Sequence, residues 1–178
     1  MSQTPHGITY PSTSEAPDGP AAFRALADSI EARCFPYTVT LRQGAPYGFP
    51  TGSSYSDVTG LNQVTTNDDD SDVFSLAVAS KISVVEAGVY DADAAMGFAL
   101  NGTGNRALSI TVNGTSVVSE IAPGFGGNSW VRSTSKAGLL LPAGAVVALQ
   151  AWQTSDGAGD LNTVPGPTFL SLTRRWSQ

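Results

Sequence analysis

Charge is scarce in this sequence, and cysteine and histidine are almost missing. Charged residues make up 13% of the chain, nine basic against fifteen acidic, for a net charge of −6. The basic residues are scattered, with Arg174-Arg175 the densest pair. Neutralising phosphates needs a basic patch, so nucleic acid is not expected as a partner. One cysteine, Cys34, allows no intrachain disulfide. No apolar run approaches the length of a membrane span, so membrane insertion is not expected either. The opening residues, MSQTPHGITYPSTS, have neither the basic flank nor the apolar core of a secretory signal. Synthesis in a cytoplasm, without export by the usual route, is the expectation.

The same scarcity limits catalysis. A Ser-His-Asp arrangement would have to recruit His6, the single histidine, from a tail without periodicity. There is no G-x-S-x-G, P-loop or zinc pattern. Cys34 lies on an apolar helical stripe and reads as a small buried residue, not a nucleophile. No enzyme activity and no cofactor are expected.

What is present is a β-rich chain of 178 residues with 41% apolar content, 19 glycines and 11 prolines. Its centre runs from Ile82 to Val118. There Leu108, Ile110 and Val112 alternate with small or polar residues, the period of a strand buried on one face. Asn113-Gly114 follows, then Thr115-Ser116-Val117-Val118. Both central residues of a type I′ turn need positive φ, so Asn-Gly between β-rich runs predicts a hairpin. Further strands are expected at Tyr37–Arg42, within Tyr55–Val64, at Val73–Val78, Ser129–Leu141, Ala145–Gln153 and Thr168–Trp176. The Ala145–Gln153 run is apolar nearly without alternation, which predicts cover on both faces, one of them supplied by a neighbouring copy. Eight to ten strands suit an antiparallel two-sheet jelly roll, a mainly β fold.

Before the sheets come an arm and one short helix. Residues 1–19 are rich in Pro, Ser, Thr and Gly, with Tyr10-Pro11 as the point most able to stick to a partner. Pro20 opens a helical pattern in which Phe23, Leu26, Ala27, Ile30 and Cys34 form one stripe. That stripe either docks on the β domain or associates with copies of itself. The division is therefore residues 1–36, arm and helix, and residues 37–178, jelly-roll head.

Chemistry-bearing residues concentrate in loops. Asp68, Asp69, Asp70 and Asp72 form an acid run without the central Gly and terminal Glu of an EF-hand, which reads as a solvated loop rather than a cation site. Asp156 and Asp160 sit in a Gly-rich turn. Asn101-Gly102-Thr103 and Asn113-Gly114-Thr115 match the glycosylation sequon but read as turns. Trp130, Trp152 and Trp176 are each either a sugar-stacking platform or part of a core or subunit interface, and the latter suits a Trp on a strand better. The loops Gln43–Ser54, Asn67–Asp72, Pro123–Asn128 and Ser155–Gly166 are the candidate contact surface, with Tyr47, Asp69, Asp70, Phe125, Asn128, Asp156 and Asp160 as its residues.

Two stretches resemble known families. ISVVEAGVYDADAAMGFA, with Gly88-Val89-Tyr90 at its heart, resembles the strand pair of C1q/TNF-like jelly rolls. RALSITVNGTSV, LLLPAGAVVALQAWQTSDG and TFLSLTRRW resemble that family's later strands, so the likeness spans residues 37–176. It departs at Ala145, where the family often has Asp, and in having no Gly-X-Y stalk, which argues against a collagenous C1q protein. GITYPSTSEAPDGPAAFRALADSIEA resembles an N-terminal segment of tail-associated proteins of phages that infect actinobacteria. Ala151-Trp152-Gln153 matches a strand typical of phage versions of the domain. These resemblances imply a homotrimeric virion protein, made in the host cytoplasm. Tyr10, Pro11, Phe23, Leu26 and Ile30 would serve attachment to other virion proteins or trimerisation, and the loops would contact a host-surface glycan or protein. A capsid decoration or head-fibre protein is the alternative, and a carbohydrate-active tail enzyme a third, opposed by the lack of a paired-carboxylate groove.

Overall fold

The computed structural model describes residues 2–3, 9–10, 21, 23–24, 26, 36–66, 73–99, 101–125, 130–155 and 161–177. In the arm, β1 (Ser2–Gln3) pairs antiparallel with β2 (Thr9–Tyr10). Ala21, Phe23, Arg24 and Leu26 are helical, with Phe23 exposed and Leu26 half-buried. The rest of the expected helix, with Ile30 and Cys34, lies outside the described residues, as do His6 and Pro11.

The head begins at β3 (Tyr37–Gln43) and continues through β4 (Gly48–Phe49), β5 (Gly52–Asp57), β6 (Leu61–Thr66), β7 (Phe74–Ser75) and β8 (Lys81–Val84). Then come the long strands β9 (Gly88–Phe98), β10 (Asn101–Val112), β11 (Thr115–Phe125), β12 (Trp130–Leu141), β13 (Val146–Gln153) and β14 (Leu161–Ser177). They form two sheets, all pairs antiparallel. The first runs β11-β10-β13-β8-β7, with β5 also on the β13 edge. The second runs β12-β9-β14-β3-β6, with β4 on β14.

One core fills the space between the sheets. Tyr90, Ala92, Ala94, Met96 and Phe98 alternate inward from β9, facing Leu108 and Ile110 of β10 and Val147, Leu149 and Ala151 of β13. Val39, Leu41, Leu170 and Leu172 close it from β3 and β14. The period-two pattern of the sequence thus resolves into two inward faces, the condition for a sandwich.

Several expectations are corrected. Pro123–Asn128 was expected to be a loop, yet β11 continues to Phe125, which pairs with Asn101. Its glycine serves close backbone approach: a Cβ on Gly124 would lie 2.7 Å from the Thr103 carbonyl oxygen. Ser155–Gly166 was likewise expected to be a loop, but β14 starts at Leu161 and carries Pro165, Gly166 and Pro167 through a bulge between Val164 and Phe169. The single strand expected in Tyr55–Val64 is two strands in different sheets, β5 and β6, because Gly60 at φ 74° turns the chain between them. β4 and the start of β5 also occupy the expected loop Gln43–Ser54. Among the described residues, twelve strands lie beyond residue 36, against the eight to ten expected. The β13 run has a core face and a different outer face, where Val146, Gln150 and Trp152 are half-buried beside buried Ala148.

Candidate functional site

The strand registers sort the chain into two ends. Tyr37 enters opposite Arg174, and Thr66, Val85, the Asn113-Gly114 turn and Pro142–Gly144 share that proximal end. Gln43, Tyr47, Phe49, Ala99, Asn101, Gln153 and Leu161 sit at the other, distal end. Three of the four candidate loops therefore start and finish at the distal end. The fourth does not: Asn67–Asp72 leaves from Thr66 and returns at Val73, at the proximal end where the arm joins. Asp69, Asp70, Asn128, Asp156 and Asp160 themselves lie outside the described residues, as does the side chain of Phe125.

The described part of the distal end is held by buried polar side chains. Tyr47 donates its backbone N–H to Thr163 Oγ1 at 3.1 Å and accepts the Thr163 N–H at 2.9 Å. Its hydroxyl accepts the Thr59 N–H, and burial pushes its pKa up. Gln43 Nε2 donates to Thr163 Oγ1 at 2.7 Å. Gln153 Nε2 donates to the Phe49 carbonyl and to Thr51 Oγ1. The Nε2 groups of two buried amides thus tie Thr163, the bonding partner of Tyr47, to β3 and the Phe49–Thr51 segment to β13.

Arg106 closes this end from inside. Its guanidinium, 1% exposed, donates to the carbonyls of Thr103, Asn105 and Asn101 and lies over the Phe98 ring. Burial lowers its pKa. The segment it grips is tightly packed: a Cβ on Gly104, at φ 72°, would fall 1.1 Å from the Thr154 carbonyl oxygen. Asn101 Oδ1 accepts from both the N–H and the hydroxyl of Thr103, so this sequon is a local polar turn at the start of β10. The second sequon forms the predicted turn, Asn113 and Gly114 both having positive φ.

The proximal end has its own clasp. Glu86 accepts two bonds from the Arg174 guanidinium, at 2.7 and 2.6 Å, and Tyr37 stacks on it. The Tyr90 hydroxyl, pushed up to about 12 by burial, donates to the Glu86 carbonyl. Neither Arg106 nor this clasp was singled out from sequence. An arginine in register with inward-pointing apolar residues is the signal that marks both.

The two outer faces differ. That of the second sheet carries paired hydroxyls, Thr38 with Thr173 at 3.0 Å and Thr40 with Ser171 at 2.9 Å. Arg42 lies over Phe169, and Arg175 bonds Asp91 at 2.6 Å. The outer face of the first sheet instead carries Tyr55 edge-to-face with Trp152, ring centroids 6.4 Å apart. Beside them Asp57 accepts from Gln150 Nε2 at 2.8 Å and pairs with Lys81 at 2.7 Å. The Lys81 ammonium holds the Asp57 carboxyl below its usual range. No group of metal-ligating side chains occurs among the described residues.

No family model matches the sequence, and no curated protein matches it. Solved structures do. The Eiger TNF of S. frugiperda superposes with a TM-score of 0.56 at 13% identity, over 81% of this chain and 96% of that one. The structure of murine APRIL at pH 5.0 gives 0.54 at 12% identity, over 79% of this chain and 99% of that one. The fold is the TNF-like jelly roll. At these identities the likeness fixes the architecture of the jelly roll, which agrees with the C1q/TNF-like resemblance of residues 37–176.

Proposed function

We propose that this chain is a non-enzymatic, homotrimeric adhesion head of a phage virion, tail-associated and contacting the host surface. The observation that carries the reading is the division of the jelly roll into two ends. The arm joins at the proximal end, and the segments at Tyr47, Phe125, Ser155 and Leu161 gather at the distal end. A module tethered at one end and presenting loops at the other is suited to attachment and contact. The likeness of residues 7–32 to tail-associated proteins supports a virion as the body to which it is tethered.

The outer face of the second sheet suits self-association. Its hydroxyls already bond one another, so covering them strands few polar groups. Arg42 and Arg175 answer Asp91 and Asp93 there, so the face is balanced within an acidic chain. Leu140, 64% exposed, adds an apolar point opposite Val89. A closed trimer presents every distal loop three times, turning weak contacts into avidity.

Two measurements test this. Light scattering should give three times 18.3 kDa. A label on the chain should appear at the tail of imaged particles, and particles lacking it should adsorb poorly to host cells. Label at capsid three-fold positions, with adsorption unimpaired, would replace this reading with capsid decoration.

A further inference from the structure

Trp152 was expected from sequence to serve a core or subunit interface. It is not in the core: it lies on the outer face of the first sheet, opposite Ala107 in the β10–β13 register. Ala107 in turn lies opposite Ile121 of β11. Tyr55, from β5 on the far side of β13, meets the Trp152 ring. Tyr55, Trp152, Ala107 and Ile121 thus make one row across four strands, with Tyr55 36% and Ile121 58% exposed. The adjacent row is polar: Ser119, Ser109, Gln150 and Asp57, with Lys81 on Asp57.

We infer that this double row binds a neutral polysaccharide chain, its sugar rings on the Tyr55–Trp152–Ile121 row and its hydroxyls on the Gln150–Asp57–Lys81 row. Sugar rings have apolar C–H faces and hydroxyl rims, and the two rows offer both surfaces side by side. Gln150, Asp57 and Lys81 are already oriented by bonds to one another, so little ordering remains on binding. Charge argues for a neutral ligand. Asp57 and Lys81 cancel locally, and the chain's −6 opposes a polyanion. Size argues against a protein or a second copy. Three inter-strand spacings make the row about 14 Å long and one side chain wide, far below the roughly 800 Å² per partner of a stable protein interface. The opposite sheet's hydroxyl face remains free for the trimer.

The inference rests on the adhesive reading and names its ligand class. The test is native electrophoresis of the full chain through gels cast with a glucan, a mannan or a galactan, and with polygalacturonate as the anionic comparison. At least one neutral polymer should retard the chain while polygalacturonate does not. Trp152→Ala, and separately Tyr55→Ala, should weaken that retardation about tenfold, the equivalent of roughly 1.4 kcal/mol, with circular dichroism and light-scattering mass unchanged. Tyr55 is exposed on an edge strand, so its variant stays informative if the tryptophan variant misfolds. Retardation by none of the neutral polymers, by polygalacturonate alone, or undiminished from wild type in both variants overturns the inference. So does a drop in mass on Trp152→Ala, which would make a second copy the occupant. The two readings fail separately: a chain that no polymer retards, yet sits on the tail and is needed for adsorption, sinks this inference alone.

Discussion

Glu86 holds the buried Arg174 guanidinium by two bonds while Tyr37 covers it, so removing the carboxylate leaves an inward-facing cation without its counter-ion. Arg175, next in sequence, points outward to Asp91 and is half exposed. Burial of the cation separates the pairs, because each has one half-exposed partner, Glu86 in the first and Arg175 in the second. Glu86→Gln should cost about 2 kcal/mol in urea unfolding, whereas Arg175→Ala should cost no more than about 1 kcal/mol. Equal losses would mean that Arg174 is more solvated than its 6% exposure implies. The aspartates add a pH dependence. A bond from the Lys81 ammonium lowers the Asp57 pKa, and the Gly138 N–H followed by Arg175 lowers that of Asp91, both from an ordinary 3.8. Groups depressed in the folded state stabilise it fully above their unfolded values and lose that contribution as pH falls through the folded ones. Stability should therefore drop below about pH 4, and the drop should be shallower in Asp57→Asn measured by the same urea titrations. An unchanged acid limb in that variant would remove Asp57 from the account.

Asn113-Gly114 shows what a turn dictates to the strands around it. Both residues have positive φ, 51° and 79°. Asn113 also donates its N–H to the Val146 carbonyl and accepts the Val146 N–H on Oδ1, each at 2.9 Å, tying the β10–β11 hairpin to β13. Gly114→Ala, with nothing near its Cβ, should cost only the backbone term, about 1 kcal/mol. Asn113→Ala loses a hydrogen bond as well and should cost about 2 kcal/mol; thermal melts ranking the two the other way would show that the tie to β13 contributes nothing. This element was legible in sequence because the conformation required of a two-residue turn depends on those residues. Gly124 and the Pro165-Gly166-Pro167 run were not. Local chemistry reads them as loop, whereas their role is set by what lies opposite: the Thr103 carbonyl for Gly124, and Gly97 for Pro167, whose Cγ would be 2.6 Å from a Cβ there. The face that Trp152 occupies was not legible for a related reason. An apolar run does not reveal which of its faces a second sheet covers, and the register with Ala107 settled that. Three of the four candidate loops are partly strand, and the division of the four between two ends emerged only from strand pairing.

The molecule offers two broad faces with different chemistry, and that difference makes the assembly testable. If the hydroxyl face of the second sheet meets other copies and the aromatic row of the first sheet meets saccharide, each can be disabled without the other. Ser171 occupies the middle of the hydroxyl face, bonded to Thr40 and in register with Asp93. Ser171→Glu places a second carboxylate beside that aspartate and, in a closed assembly, repeats the clash around the symmetry axis. Its Leu170 and Leu172 neighbours point into the core and are untouched, so the β signal should persist. The light-scattering mass should fall from three times 18.3 kDa to one. Retardation by a neutral polysaccharide should weaken but not vanish, because each protomer keeps its own row while avidity is lost. Trp152→Ala should do the reverse, keeping the mass and losing most of the retardation. A Ser171→Glu chain that keeps the wild-type mass would move the subunit contact off this face, leaving the β11 and β12 edges, where Ile121 and Leu140 are exposed, as the surfaces to substitute next.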